Sequence, residues 1–190
     1  MSYPTTPEFS AIKVESQHSN VRTETRSGRT QVRSLGAQRW AFSAQYNDMT
    51  REDFAPVYAF VVGTGSGLDS FDIVPPVISD AKGNVSGTVR ANGAHSEGDS
   101  TITIDGISGT LKAGDFIKFA NHNKVYMVTA DRTGAGTLSI HPALIESVAN
   151  NEVISYDGVT FKMRVANDVQ QFALQEFDRY TFEVDMIEVI

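Results

Sequence analysis

The sequence predicts a mainly β protein: a β-sandwich or barrel with one short helix and an inserted small antiparallel β-barrel. Three observations carry that expectation. Trp40, Phe42, Ala44 and Tyr46 alternate with Ala41, Ser43 and Gln45, and Tyr180, Phe182, Val184 and Met186 alternate with Thr181, Glu183 and Asp185. This is the period of a strand with one face in a core and the other in water. Between residues 101 and 165 short β-prone runs recur, separated by turn signals such as Asp105-Gly106, Ala113-Gly114-Asp115 and Asn121-His122-Asn123. Helical spacing of apolar residues is clear only at Phe54, Val57, Tyr58 and Val61.

The elements follow in order. Residues 21–31 are polar and β-tolerant around Ser27-Gly28, which predicts two short strands joined by a tight turn. The Trp40–Tyr46 strand ends at Asn47-Asp48. Thr50 can then cap a helix with Asp53 three residues on, and Met49 can pack against Phe54 as a hydrophobic staple. Pro56 removes a backbone donor beyond the first turn, so the helix is expected to be short or kinked there. Phe71, Ile73 and Val74 read as a strand halted by Pro75-Pro76. Strands are expected at 101–104, 115–119, 124–129, 137–140, 153–156 and 160–165, and residues 143–148 would admit a short helical turn. The domain reading that follows is 1–81 with 146–190 as one β-rich domain and 82–145 as the inserted barrel.

Composition removes whole classes of function. The 190 residues include no cysteine, which excludes disulfide frameworks, thiolate metal sites and a cysteine nucleophile. No stretch approaches the ~20 apolar residues of a bilayer span. Met1–Pro7 has neither the basic start nor the apolar core of a secretory signal, so cytoplasmic synthesis is expected. The formal charge is −7, yet residues 1–40 hold six basic side chains against three acidic ones. A basic arm on an acidic body favours head-to-tail contact between copies over nucleic-acid binding, because no aromatic ring interleaves with the arginines before Trp40.

Motifs for chemistry are weak. Gly63-Thr64-Gly65-Ser66-Gly67 lacks the Lys-Ser/Thr ending and the preceding strand of a phosphate loop, and Gly65-Ser66-Gly67 lacks the spacing of a nucleophile elbow. His18, His95, His122 and His141 share no metal-ligand spacing. Asp105 and Asp115 sit beside Gly106 and Gly114 and read as turn residues before they read as a paired acid and base. No catalytic residue, metal or cofactor is expected.

One resemblance rests on the order of features. A polar N-terminal hairpin leads into Leu35-Gly36-Ala37-Gln38-Arg39-Trp40, then Met49–Phe60, Leu111–Phe119 and Lys124–Val128, and the chain stops on a strand ending Ile187-Glu188-Val189-Ile190. This pattern resembles structural proteins of tailed-bacteriophage virions, above all small tail-tip or baseplate proteins of the distal-tail kind. The resemblance implies a β-rich domain that forms a ring, commonly hexameric, joining the tail tube to the host-adsorption apparatus, with a second small β domain projecting outward. Its partners would be copies of itself and tube, hub or fibre proteins, its location the virion tail. The residues expected at the subunit interface are Arg22, Arg26, Arg29 and Arg33 on one copy and Glu183, Asp185 and Glu188 on its neighbour. Two other classes remain open on sequence: a carbohydrate- or receptor-binding module using 82–145, and a polysaccharide hydrolase, which would need two carboxylates on one cleft.

Overall fold

The computed structural model describes residues 1–65 and 67–190, the side chain of Ala37 excepted. Ser66 lies outside the described residues, and with it the centre of the Gly63–Gly67 run. The chain divides into two compact units, Met1–Phe71 with Met163–Val189, and Asp72–Lys162 with Ile190. The architecture is mainly β with one helix, as the alternation patterns predict.

In chain order the elements are β1 (Ala11–Glu24), β2 (Thr30–Gln45), α1 (Arg51–Gly63), β3 (Phe71–Ile73), β4 (Arg90–Ala91), β5 (Thr101–Asp105), β6 (Thr110–Leu111) and β7 (Phe116–Phe119). They continue with β8 (Val125–Val128), β9 (Arg132–Thr133), β10 (Gly136–His141), β11 (Ile154–Ser155), β12 (Phe161–Val165), β13 (Phe172–Gln175) and β14 (Arg179–Glu188).

The first unit is built on a sheet of order β1-β2-β14-β12-β3, with β13 also paired to β14. Its centre is the β2–β14 ladder, where Ala44 opposes Val184 and Phe42 opposes Met186. All four are buried, as their period-2 spacing requires. A run of rings covers this face. Phe54 of α1 stacks on Tyr180 at 4.7 Å between centroids and lies 4.9 Å from Phe172, while Tyr46, Phe9, Tyr3, Phe60 and Phe71 continue the contacts in succession. Tyr3 and Tyr46 close it with a hydrogen bond between their hydroxyls at 3.0 Å. Burial pushes the Tyr46 phenol up to about 12 and raises that of Tyr3 further, with the neighbouring Tyr46 adding to the rise.

The helix starts where the capping pattern puts it: Thr50 Oγ1 accepts from the Asp53 backbone N–H and donates to the Asp53 carboxylate at 2.8 Å. It runs through Pro56 for 13 residues, longer than that proline suggests. Pro56 lies on the exposed side, so the one carbonyl it leaves without a helical partner faces water. The polar hairpin is also longer than expected, because β2 runs unbroken from Thr30 to Gln45 and absorbs the Trp40–Tyr46 strand. A register shift between His18 and Asn20 lets the ribbon continue, and Gly36, at φ +82, supplies the backbone freedom on the facing strand.

The second unit is a six-stranded sheet of order β11-β7-β8-β10-β5-β4. It nearly closes on itself, since Arg90 of β4 bridges Val153 beside β11 and Ile154 N–H donates to the Val89 carbonyl. The interior holds Val89, Ile102, Ile104, Leu111, Ile117, Phe119, Tyr126, Val128 and Leu138 among others, all buried. Residues 143–148 form no helix; the segment bonds sideways instead, through Leu144 N–H to Asp99, Ile145 N–H to the Tyr126 hydroxyl and Val148 N–H to His95. Segments 83–88 and 106–110 approach backbone to backbone, with Ser86 paired to Ser108, and glycines line both sides. A Cβ on Gly109, at φ +91, would run into the Asn84 carbonyl oxygen, whereas one on Gly28, at φ +78, would meet nothing.

Gly109→Ala is therefore expected to cost about 1–3 kcal/mol, from clash and left-handed strain together, and Gly28→Ala roughly 1 kcal/mol from strain alone. Urea unfolding midpoints check the order. Because the tyrosine pair is ionised more readily unfolded than folded, stability is full below pH 10 and falls as pH rises from about 10 toward 12. A Tyr3→Phe/Tyr46→Phe variant should show a flatter alkaline limb; an identical slope would contradict the assignment.

Candidate subunit interface

Sequence places four arginines on the N-terminal hairpin, and the structure shows what carries them. β1 and β2 remain paired from Ala11 opposite Gln45 out to Glu24 opposite Thr30, but β14 pairs with β2 only over residues 41–45. Beyond that point the two strands continue as a two-stranded ribbon, an arm of eight residue pairs, roughly 27 Å long, its β2 side still buried at Trp40 and Gln38 and exposed from Gly36 outward. Every described residue of 17–36 is exposed. The turn at its end is fixed by Thr25, whose backbone N–H donates to the Arg29 carbonyl and whose Oγ1 accepts from the Arg29 N–H.

Register decides how the arginines point. Val21 opposes Arg33 and Arg22 opposes Val32, so successive pairs put Arg33 and Arg22 on opposite faces of the ribbon, each beside an exposed valine. Arg26 and Arg29 flank the turn residues Ser27 and Gly28. None of the four forms an ion pair with an acid of its own chain among the described residues.

The acidic residues divide into two kinds. Glu183 and Asp185 lie on the wet face of β14, Glu183 exposed and Asp185 half-buried. Hydrogen bonds from Ser43 Oγ at 2.7 Å, and from Gln45, hold the Glu183 carboxyl below the usual carboxylate range. Asp185 accepts from Asn167 Nδ2 at 2.8 Å. Lys13 and Glu15 of β1 pair beside them, the Glu15 contact holding the Lys13 ammonium above its ordinary value. Glu188 differs: it is fully buried, and its carboxylate accepts the Trp40 backbone N–H at 3.1 Å. The arm and the Glu183/Asp185 patch are thus free to meet a neighbour, while Glu188 serves the sheet. Glu188 shares the even-numbered, buried face of β14 with Phe182, Val184 and Met186, so the alternation of the strand places it inside, apart from the interface expected for it with Glu183 and Asp185, and β12 pairs Met163 with Glu188 there. Lys13, Ser43 and Asn167, which shape the acidic patch, carry no sequence signal because their pairing depends on register.

The second unit offers a hollow of about 380 Å³ lined by His95, His122, Glu146 and Glu152. Glu152 and His95 in it are committed to the backbone, and His122 Nδ1 is hydrogen-bonded to the Tyr126 hydroxyl. Glu152 accepts from Asn121 and Ala149 N–H, and His95 Nε2 accepts from Thr103 N–H. Asp115 accepts from Lys82 and Lys112 N–H, the turn role that its glycine neighbour predicts. Phe116, Phe119 and Tyr126, the rings on which a sugar could stack, are buried.

Residues 78–159 match the family described as distal tail protein pb9, B domain. That span falls within the second compact unit. Over 172 residues, 86% of this chain, the sequence is 22% identical to distal tail protein pb9 of Escherichia phage T5, of which it covers 84%. The chain resembles phage distal tail proteins. That likeness spans both units and agrees with the order of features in the sequence, and it supports a structural role in the phage tail. Among the described residues no helix is long and apolar enough to cross a membrane.

The division of the acids is measurable. Glu188→Ala should cost about 1–3 kcal/mol by stranding a buried N–H, whereas Glu183→Ala or Asp185→Ala should change stability by only about 0–1 kcal/mol. Equal losses in chemical denaturation would show that burial does not separate them.

Proposed function

We propose that the protein is a non-enzymatic structural component of a phage virion tail, made in the host cytoplasm and assembling as a ring, a homo-hexamer, that links the tail tube to the host-adsorption apparatus. The first unit forms the ring, and tube, hub or fibre proteins are its other partners. The free arm is the observation that carries this reading. An isolated two-stranded ribbon is marginal in water, and this one holds Val21, Val32 and Leu35 exposed among unpaired arginines. Such an element is stabilised by a surface that covers it.

The copies of the chain supply a complementary surface. The arm is basic and the outer face of β14 is acidic, so a head-to-tail contact repeated by rotation closes a ring. Surface ion pairs contribute roughly 0.2–1 kcal/mol each, enough to set orientation while apolar burial holds the contact. The likeness to a distal tail protein supports the same reading. Burial of Phe116, Phe119 and Tyr126 argues against a glycan-binding role for the barrel.

An Arg22→Glu/Arg33→Glu variant reverses one charge on each face of the ribbon. It should fold normally and shift the multimer toward monomer in sedimentation velocity, most strongly at low salt. An unchanged mass distribution would overturn the arginine contact.

A further inference from the structure

The hairpin joining β13 to β14 is the second apolar feature left uncovered. Its turn holds Phe177 at φ +61 and Asp178 at φ +57, a left-handed conformation that bulky side chains rarely adopt. Phe177 is 92% exposed, and Leu174, three residues before it on the same hairpin, is exposed as well. The tip is held firmly in place. Phe172 and Tyr180 at its base pack on Phe54, and the Tyr180 hydroxyl donates to the Asp178 carboxylate at 3.0 Å. A strained, exposed aromatic on a rigid mount is an anchor without its pocket.

We infer that this tip docks on the arm of a second copy of the chain, with Phe177 and Leu174 against Val21, Val32 and Leu35. Charge complementarity selects that occupant. Residues 168–179 carry Asp168, Glu176 and Asp178 against Arg179, while the arm carries Arg22, Arg26, Arg29 and Arg33 against Glu24. Length agrees as well. From Asp185 to Asp178 along β14 is roughly 23 Å, close to the reach of the arm, so one arm laid along a neighbour's β14 touches both the acidic patch and the tip. This inference rests on the ring reading and names its apolar half.

The test uses the full chain with Phe177→Gly, and separately with the photoreactive benzoylphenylalanine at position 177. Glycine accepts the left-handed turn, so the variant's melting temperature should equal or exceed that of the wild type while self-association weakens by about tenfold. The photoreactive chain should crosslink to residues 17–39 of another copy. Equal association by Phe177→Gly, or crosslinks that map elsewhere or to another tail protein, would overturn the docking while leaving the ring reading standing. A wild-type chain that stays monomeric at every concentration would overturn both.

Discussion

The structure of the first unit depends on the pairing of β2 with β14. β2 is one strand with two surroundings: its last residues lie in the middle of a sheet, and its first residues form half of a ribbon in water. Phe42 and Ala44, locked opposite Met186 and Val184, fix the direction in which Thr30–Arg39 leaves the sheet. The arm is therefore aimed by the core, and it cannot turn independently of the strand that anchors it. Glu188 reinforces that junction from the other side by holding the Trp40 N–H at the point where the ribbon departs.

Ring packing gives the same unit its second constraint. The aromatic contacts join the N-terminal segment, Tyr46 just past β2, α1, β3, β13 and β14, segments distant in sequence. Aromatic pairs contribute about 0.5–1.5 kcal/mol beyond their buried area, and their preferred angles restrict how the elements lie. The consequence reaches the surface, because Phe172 and Tyr180 belong both to this packing and to the hairpin whose tip carries Phe177. Both protruding features of the unit are thus continuous with its core. The second unit works differently, closing a small barrel around aliphatic side chains and bringing glycine-lined backbone segments together.

Much of this was legible in the sequence where the signal was local. Thr50, Asp53 and the spacing of Phe54, Val57 and Val61 located the helix, and alternation placed Trp40, Phe42, Tyr46, Phe182, Val184 and Met186 inside. The short two-residue strands β4, β6 and β9 were not legible, since strands of that length carry no period and exist only through their partners. β13 escaped for a related reason: its four residues are exposed, so neither face has a burial pattern. The charge pattern showed a basic arm, and the alternation of Val184 and Met186 already turned Glu188 inward, but neither showed that register would split Arg22 from Arg33 or set Asn167 beside Asp185. Those facts belong to strand pairing, which single-residue chemistry does not encode.

Among the described residues the arm, Glu183 and the Phe177 tip stay exposed, and the proposed repeated contact would cover all three. Native mass spectrometry of the purified wild-type chain across a concentration series tests that idea most directly. The account predicts a discrete multimer, six copies, whose self-association weakens modestly as ionic strength rises. A single-chain mass at every concentration, even at low salt, would contradict it.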